Sequence, residues 1–160
     1  MMNPTSSVLP SRILPGWTRR LDALLAAHAD RPFAWGSHDC CTFAADVVHT
    51  LTGHDFMADL RGTYTGRRHA ARLLAELTAT ANPGGGKAGN GMPPLLAFAY
   101  ARLGSPMVPG HAQRGDVVLY AQPATGRPAL GVCVGAFLVG PGPTGLSRAP
   151  MALATHAWKV

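Results

Sequence analysis

Cys40 carries the most direct chemistry in this chain. It follows Ser37, His38 and Asp39 and opens the run Cys40, Phe43, Ala44, Val47, Val48, Leu51, whose spacing is helical. Ser37 or Asp39 can cap that helix by accepting from its first-turn N–H groups, and Gly53 lies just past the last apolar residue. A cysteine in the first turn of a helix faces unpaired N–H groups and the positive end of the helix dipole. Both favour negative charge there, so the thiolate becomes more available. That is a nucleophile's position. The competing reading makes Cys40 and Cys41 small buried hydrophobes beneath a helix start.

A thiol that hydrolyses an amide needs an imidazole to take its proton and return it to the leaving amine. Of the seven histidines, His38 is too near Cys40 along the chain to face it across a cleft. His49 and His54 belong to the far end of the same helix, more than ~10 Å away at about 1.5 Å per residue. His28 lies on the edge of another helix face, and His111 sits in a Pro-Gly turn. His156 is the best remaining base, on the same strand face as Trp158 by alternation; the competing reading packs it on that indole. A metal site built on His38, Cys40 and Cys41 is not expected, because neighbouring helical residues point about 100° apart and no second ligand pair follows. No cofactor motif is present. Pro83 to Gly91 is glycine-rich but lacks the Lys-Ser/Thr of a phosphate loop.

The elements that must position Cys40 follow from periodicity. Trp17, Leu21, Leu24, Leu25 and His28 form one helix face; Ala70, Leu73, Leu74 and Leu77 form another over Arg67 to Ala79; and Pro94 to Leu103 makes a shorter helix with proline in its first turn. From Gly115 the pattern turns to strand: Val117–Tyr120, Leu130–Gly135, Ala136–Val139 and Ala152–Trp158. Gly140-Pro141-Gly142-Pro143 reads as a junction. Helices followed by an antiparallel sheet of four to five strands give an α+β domain. Its expected extent is 16–160, after an extended arm at 1–15.

Length and composition bound the function. A chain of 160 residues suits one domain, and 14% charged residues leave little solvated charged surface, which points toward burial in contacts. The formal charge of +6 is scattered, with no cluster beyond Arg19-Arg20 and Arg67-Arg68, so nucleic acid is not an expected partner. No apolar run is long enough for a membrane span, and no export signal is read at the N-terminus. Three cysteines, two of them adjacent, make no disulfide framework.

Phe33-Ala34-Trp35-Gly36, a short polar spacer, Asp39-Cys40 and then an amphipathic helix resemble the nucleophile motif of the NlpC-type, papain-like cell-wall peptidases. Gly115-Asp116-Val117-Val118-Leu119-Tyr120 is similar to the family's Gly-Asp-opened strand. The resemblance implies a papain-like fold in which Cys40 attacks a peptide bond beside an acidic muropeptide residue. Two departures stand out. The usual Ser-Gly-Leu after the nucleophile is here Cys41-Thr42-Phe43, and the family's catalytic histidine falls on Ala129. Small chains of this kind with an Ala-Trp ending, here Ala157-Trp158, look like tail modules of tailed phages. The implied function is a structural or assembly component of a tail tip or baseplate, made in the bacterial cytoplasm and carried in the virion. Its partners would be other tail proteins, with peptidoglycan as a further one. The alternatives are an active peptidase or amidase using Cys40, with His156 as base, and a module that binds muropeptides without cutting.

Overall fold

A computed structural model describes residues 14–80 and 92–160. Most of the expected arm at 1–15 and the whole of the glycine-rich stretch 83–91 lie outside the described residues. Four α-helices precede a five-stranded sheet: α1 Trp17–His28, α2 Cys40–Thr52, α3 Arg67–Thr80 and α4 Pro94–Leu103, then β1 Val117–Ala121, β2 Pro128–Cys133, β3 Phe137–Gly142, β4 Gly145–Pro150 and β5 Ala154–Trp158. The architecture is α+β. Every strand pairing is antiparallel, and the order across the sheet is β4-β3-β2-β1-β5.

Helix α2 is the central helix because its sequence is apolar nearly all round. Phe43, Ala44, Val47, Val48 and Leu51 are fully buried, and the helix lies across β2 and β3 while α1 packs on its other side. Burying a side chain of this size is worth about 1.5–3 kcal/mol, so packing holds α2 and its cap sets where it begins. Helices α3 and α4 pair with each other, and their leucines close the same core from the side.

Alternation along the strands splits the sheet into two apolar layers. Val117, Leu119, Leu130, Val132 and Trp158 face the helices, whereas Val118, Tyr120, Ala129, Cys133, Leu138 and Ala157 face away. Met107, Ala112 and Met151 pack against that second layer, which is why the strands read as continuous apolar runs. Cys40 packs against both layers and so stands at the seam between them.

The reading of Gly140-Pro141-Gly142-Pro143 as a junction is corrected here: residues 140–142 belong to β3, and β4, unrecognised in the sequence, pairs with them. Proline survives there because β3 pairs with β2 only at Val139 and Leu138, leaving its last residues with β4 alone. The hairpin tip docks on the chain entering the Cys40 motif: the Leu146 N–H donates to Ala29 O (3.0 Å) and the Phe33 N–H to Gly142 O (2.9 Å). Gly145, at φ 144°, permits this approach, since a Cβ there would stand 2.2 Å from Ala29 O.

Candidate functional site

The start of α2 is built by Asp39. Its backbone is extended (φ −110°, ψ −176°), and Oδ1 accepts from the N–H groups of Cys41 (3.0 Å) and Thr42 (2.9 Å). Thr42 answers by accepting the Asp39 N–H at 2.8 Å, which completes a reciprocal capping box. The second carboxylate oxygen accepts from the Gly36 N–H (2.8 Å) and from the Tyr64 hydroxyl (2.5 Å). Asp39 is 2% exposed, so one buried carboxylate ties the Trp-Gly loop, the helix start and the Tyr64 segment together. Of the two expected caps, Asp39 is the one used. Gly36 is required by the same junction: φ is 79°, and a Cβ would lie 2.3 Å from Tyr64 O. Trp35 is partly exposed, edge-on to Phe33 at 4.9 Å.

Cys40 is the first helical residue and is half-buried. Its thiol pKa is lowered, chiefly because the Cys41 thiol donates a hydrogen bond to its sulfur; burial and the Asp39 charge oppose this, and the Leu130 and Cys41 backbone N–H groups assist. Cys41 is pushed well up by the same hydrogen bond and by burial. Between the two thiols, negative charge is therefore favoured on Cys40 and the proton on Cys41. Tyr120, raised first by burial and then by the Cys40 charge, lies on the far layer. Its ring crosses two glycines, where Cβ atoms would stand 3.2 Å from it at Gly131 and 3.2 Å from its hydroxyl at Gly140.

No histidine is among the groups that act on the Cys40 charge. Ala129 is buried in the layer against which Cys40 packs, directly opposite Tyr120 in the β1–β2 ladder. His156 pairs with Leu119, contacts the Thr155 hydroxyl through Nδ1 (2.9 Å) and stacks on Trp158 with ring centroids 6.1 Å apart. Strand β5 lies two strands over from β2, about 10 Å at the spacing of paired strands. The structure thus places His156 against Trp158, whose indole N–H donates to Gly104 O at 2.8 Å. His38 is fully buried against His28 (4.9 Å) with neither ring nitrogen hydrogen-bonded, and burial lowers its pKa. His49, His54, His69 and His111 are exposed, and none of them acts on the Cys40 charge.

The Gly115-Asp116 motif is architectural. Asp116, 1% exposed, accepts from the Val160 N–H (3.0 Å) and the Gln113 N–H (2.8 Å), so it fastens the chain end to the turn before β1. Cys133 is buried and donates weakly to Gly135 O (3.6 Å).

A cavity of about 240 Å³ opens beside Cys40. Its walls are Met57, Leu60, Leu73, Leu74 and Leu95, and Cys40, Tyr64 and Trp35 also line it. Arg67 and Arg127 also line it and are exposed, so they stand where it meets solvent. Neither guanidinium has an acidic partner among the described residues. Tyr64 and Arg127 carry no local signal of a site, and Arg67 shows in the sequence only as part of the Arg67-Arg68 pair at a helix start; the spacing of Thr42, three residues after Asp39, is that of a capping-box partner. Among the described residues no group of three or more His, Cys, Asp or Glu could hold a metal ion, and no helix is long and apolar enough to cross a membrane.

The family described as "Domain of unknown function (DUF6950)" matches residues 12–160. No curated protein and no solved structure matches the chain.

Proposed function

The chain belongs to the DUF6950 family, and from that premise, which supplies no activity, we propose a structural or assembly subunit of a phage tail tip or baseplate, built on an NlpC-like papain-type fold that has lost its base. One residue carries the loss of catalysis: Ala129, on which the resemblance sets the family's histidine, is 3% exposed and lies in the layer that Cys40 touches. An amide cannot be cleaved efficiently there, because its leaving nitrogen must be protonated as the bond breaks. Cys41, the nearest proton donor, has its pKa raised and holds its proton.

The papain-like topology is supported by a cysteine at the first position of a helix that crosses the sheet, with the Gly-Asp strand β1 beside β2. Placement in a tail rests on the sequence resemblance, and the charged fraction of 14% suits a surface that neighbouring tail proteins cover. Mass spectrometry of purified virions beside crude lysate tests it. The chain is expected in the particles; its absence from them, together with muropeptide cleavage in the lysate, would replace this reading.

A second reading, a peptidase or amidase acting on peptidoglycan peptides, is favoured by the lowered Cys40 pKa and the cavity beside it. Turnover of purified muropeptides that disappears in Cys40→Ala would establish it.

A further inference from the structure

A thiolate without a general acid is restricted to electrophiles whose leaving group departs without a proton. Amides fail that requirement. Thioesters meet it, because a thiol of ordinary pKa, about 8.5, leaves readily as thiolate near neutral pH. The space beside Cys40 adds a second constraint. The cavity is walled by Met57, Leu60, Leu73, Leu74 and Leu95, and Cys40 itself is part of its lining. A peptide would set backbone N–H and C=O groups against that apolar wall with nothing to bond them, at a cost of about 1–3 kcal/mol for each. An aliphatic chain loses nothing there. At the mouth, Arg67 and Arg127 have no carboxylate partner among the described residues, which complements an anionic group on whatever delivers the chain.

We propose that this cavity takes the acyl chain of an acyl thioester with a phosphate-bearing carrier, and that the acyl group passes to the Cys40 sulfur. The sulfur, as thiolate, attacks the carbonyl carbon. A new carbon–sulfur bond to Cys40 forms as the bond to the carrier sulfur breaks, and the carrier leaves as its thiolate with the electron pair. No proton moves, and nothing is oxidised or reduced. Hydrolysis of the product needs an activated water, and with an alanine, Ala129, rather than an imidazole in the layer beside Cys40 the acyl-Cys40 adduct persists. The chain thus holds an acyl group stoichiometrically. This inference uses the baseless site proposed above and is independent of placement in a tail.

The experiment exposes the full-length protein to octanoyl-coenzyme A, to acetyl-coenzyme A and to octanoyl-N-acetylcysteamine, whose carrier is uncharged. Intact-mass and peptide-mapping spectrometry read the product. One octanoyl group is expected on Cys40, formed faster than the acetyl adduct and absent in Cys40→Ala. Leu74→Trp, which fills the cavity, slows octanoylation while iodoacetamide still labels Cys40. The pair Arg67→Gln and Arg127→Gln slows the coenzyme A thioester on the order of tenfold, a steering effect that the uncharged carrier does not show. No adduct from any thioester, an adduct on Cys41 or Cys133, or equal rates for octanoyl and acetyl would overturn the proposal. An adduct that forms on Cys40 and then turns over would support the transfer and overturn the baseless site instead.

Discussion

Removing the Asp39 carboxylate is the most searching test of how this site is built. In Asp39→Ala the helix loses its cap, worth about 1 kcal/mol. The buried donors Gly36 N–H and Tyr64 OH, at 2.8 and 2.5 Å from Oδ2, then lack an acceptor, at about 1–3 kcal/mol each. The expected loss is roughly 5 kcal/mol, a large share of the ~5–15 kcal/mol that stabilises a typical domain. Two milder variants apportion it. Tyr64→Phe deletes one bond to a carboxylate and costs about 1.5–3 kcal/mol. Asp39→Asn keeps the capping oxygen and can donate to a rotated Tyr64 hydroxyl, but it turns an NH2 toward the Gly36 N–H, so its loss falls short of that in Asp39→Ala. Urea unfolding at constant m-value measures all three. The Asp39 charge opposes the Cys40 thiolate, so Asp39→Asn should make the thiol more acidic while destabilising the fold. Equal stability for Asp39→Asn and Asp39→Ala, or a less acidic Cys40 in Asp39→Asn, would refute this account.

The two glycines that bracket α2 make a matched pair, at φ 79° for Gly36 and 82° for Gly53. Alanine at either incurs the left-handed penalty of about 1–2 kcal/mol; only Gly36→Ala also drives a Cβ to 2.3 Å from Tyr64 O, so it should unfold at clearly lower urea than Gly53→Ala. Burial is the leading cause that lowers the pKa values of His28 and His38, with Arg31 adding to it and Asp46 opposing. As pH falls through about 6.5 the unfolded chain therefore binds protons before the folded one, and stability should drop between pH 7.5 and pH 5. His38→Leu, which removes two unpartnered ring nitrogens, should flatten that dependence at little cost at pH 7.5, as unfolding midpoints across the range will report. Alkylation by iodoacetamide should label Cys40 ahead of the buried Cys41 and Cys133, and in Cys41→Ala the midpoint of its rate–pH profile should move up, because the donor that stabilises the thiolate is gone.

What could be read along the chain was whatever local physics decides. Helix α2 begins and ends where Asp39 and Gly53 say it must, because capping groups act within one turn of the residue that supplies them. The other three helices follow equally from apolar spacing and from Pro94 at a first turn. Strand β4 escaped notice because Gly145–Pro150 buries only two of its six residues and so has no apolar run; its hairpin with β3 is held by register and by contact with Ala29, neither of which is a local property. The acidity of Cys40 was legible in direction from its place at a helix start. Its main cause was not, since the Cys41 donor and the Leu130 N–H depend on how α2 sits on β2. Likewise the sequence shows Tyr64 and Arg127 as ordinary residues of a turn and a strand approach, and Arg67 only as half of a basic pair at a helix start. Only the tertiary fold, by bringing segments more than twenty residues apart onto one carboxylate and one cavity, decides that Tyr64 serves Asp39 and that two arginines stand over an apolar cleft.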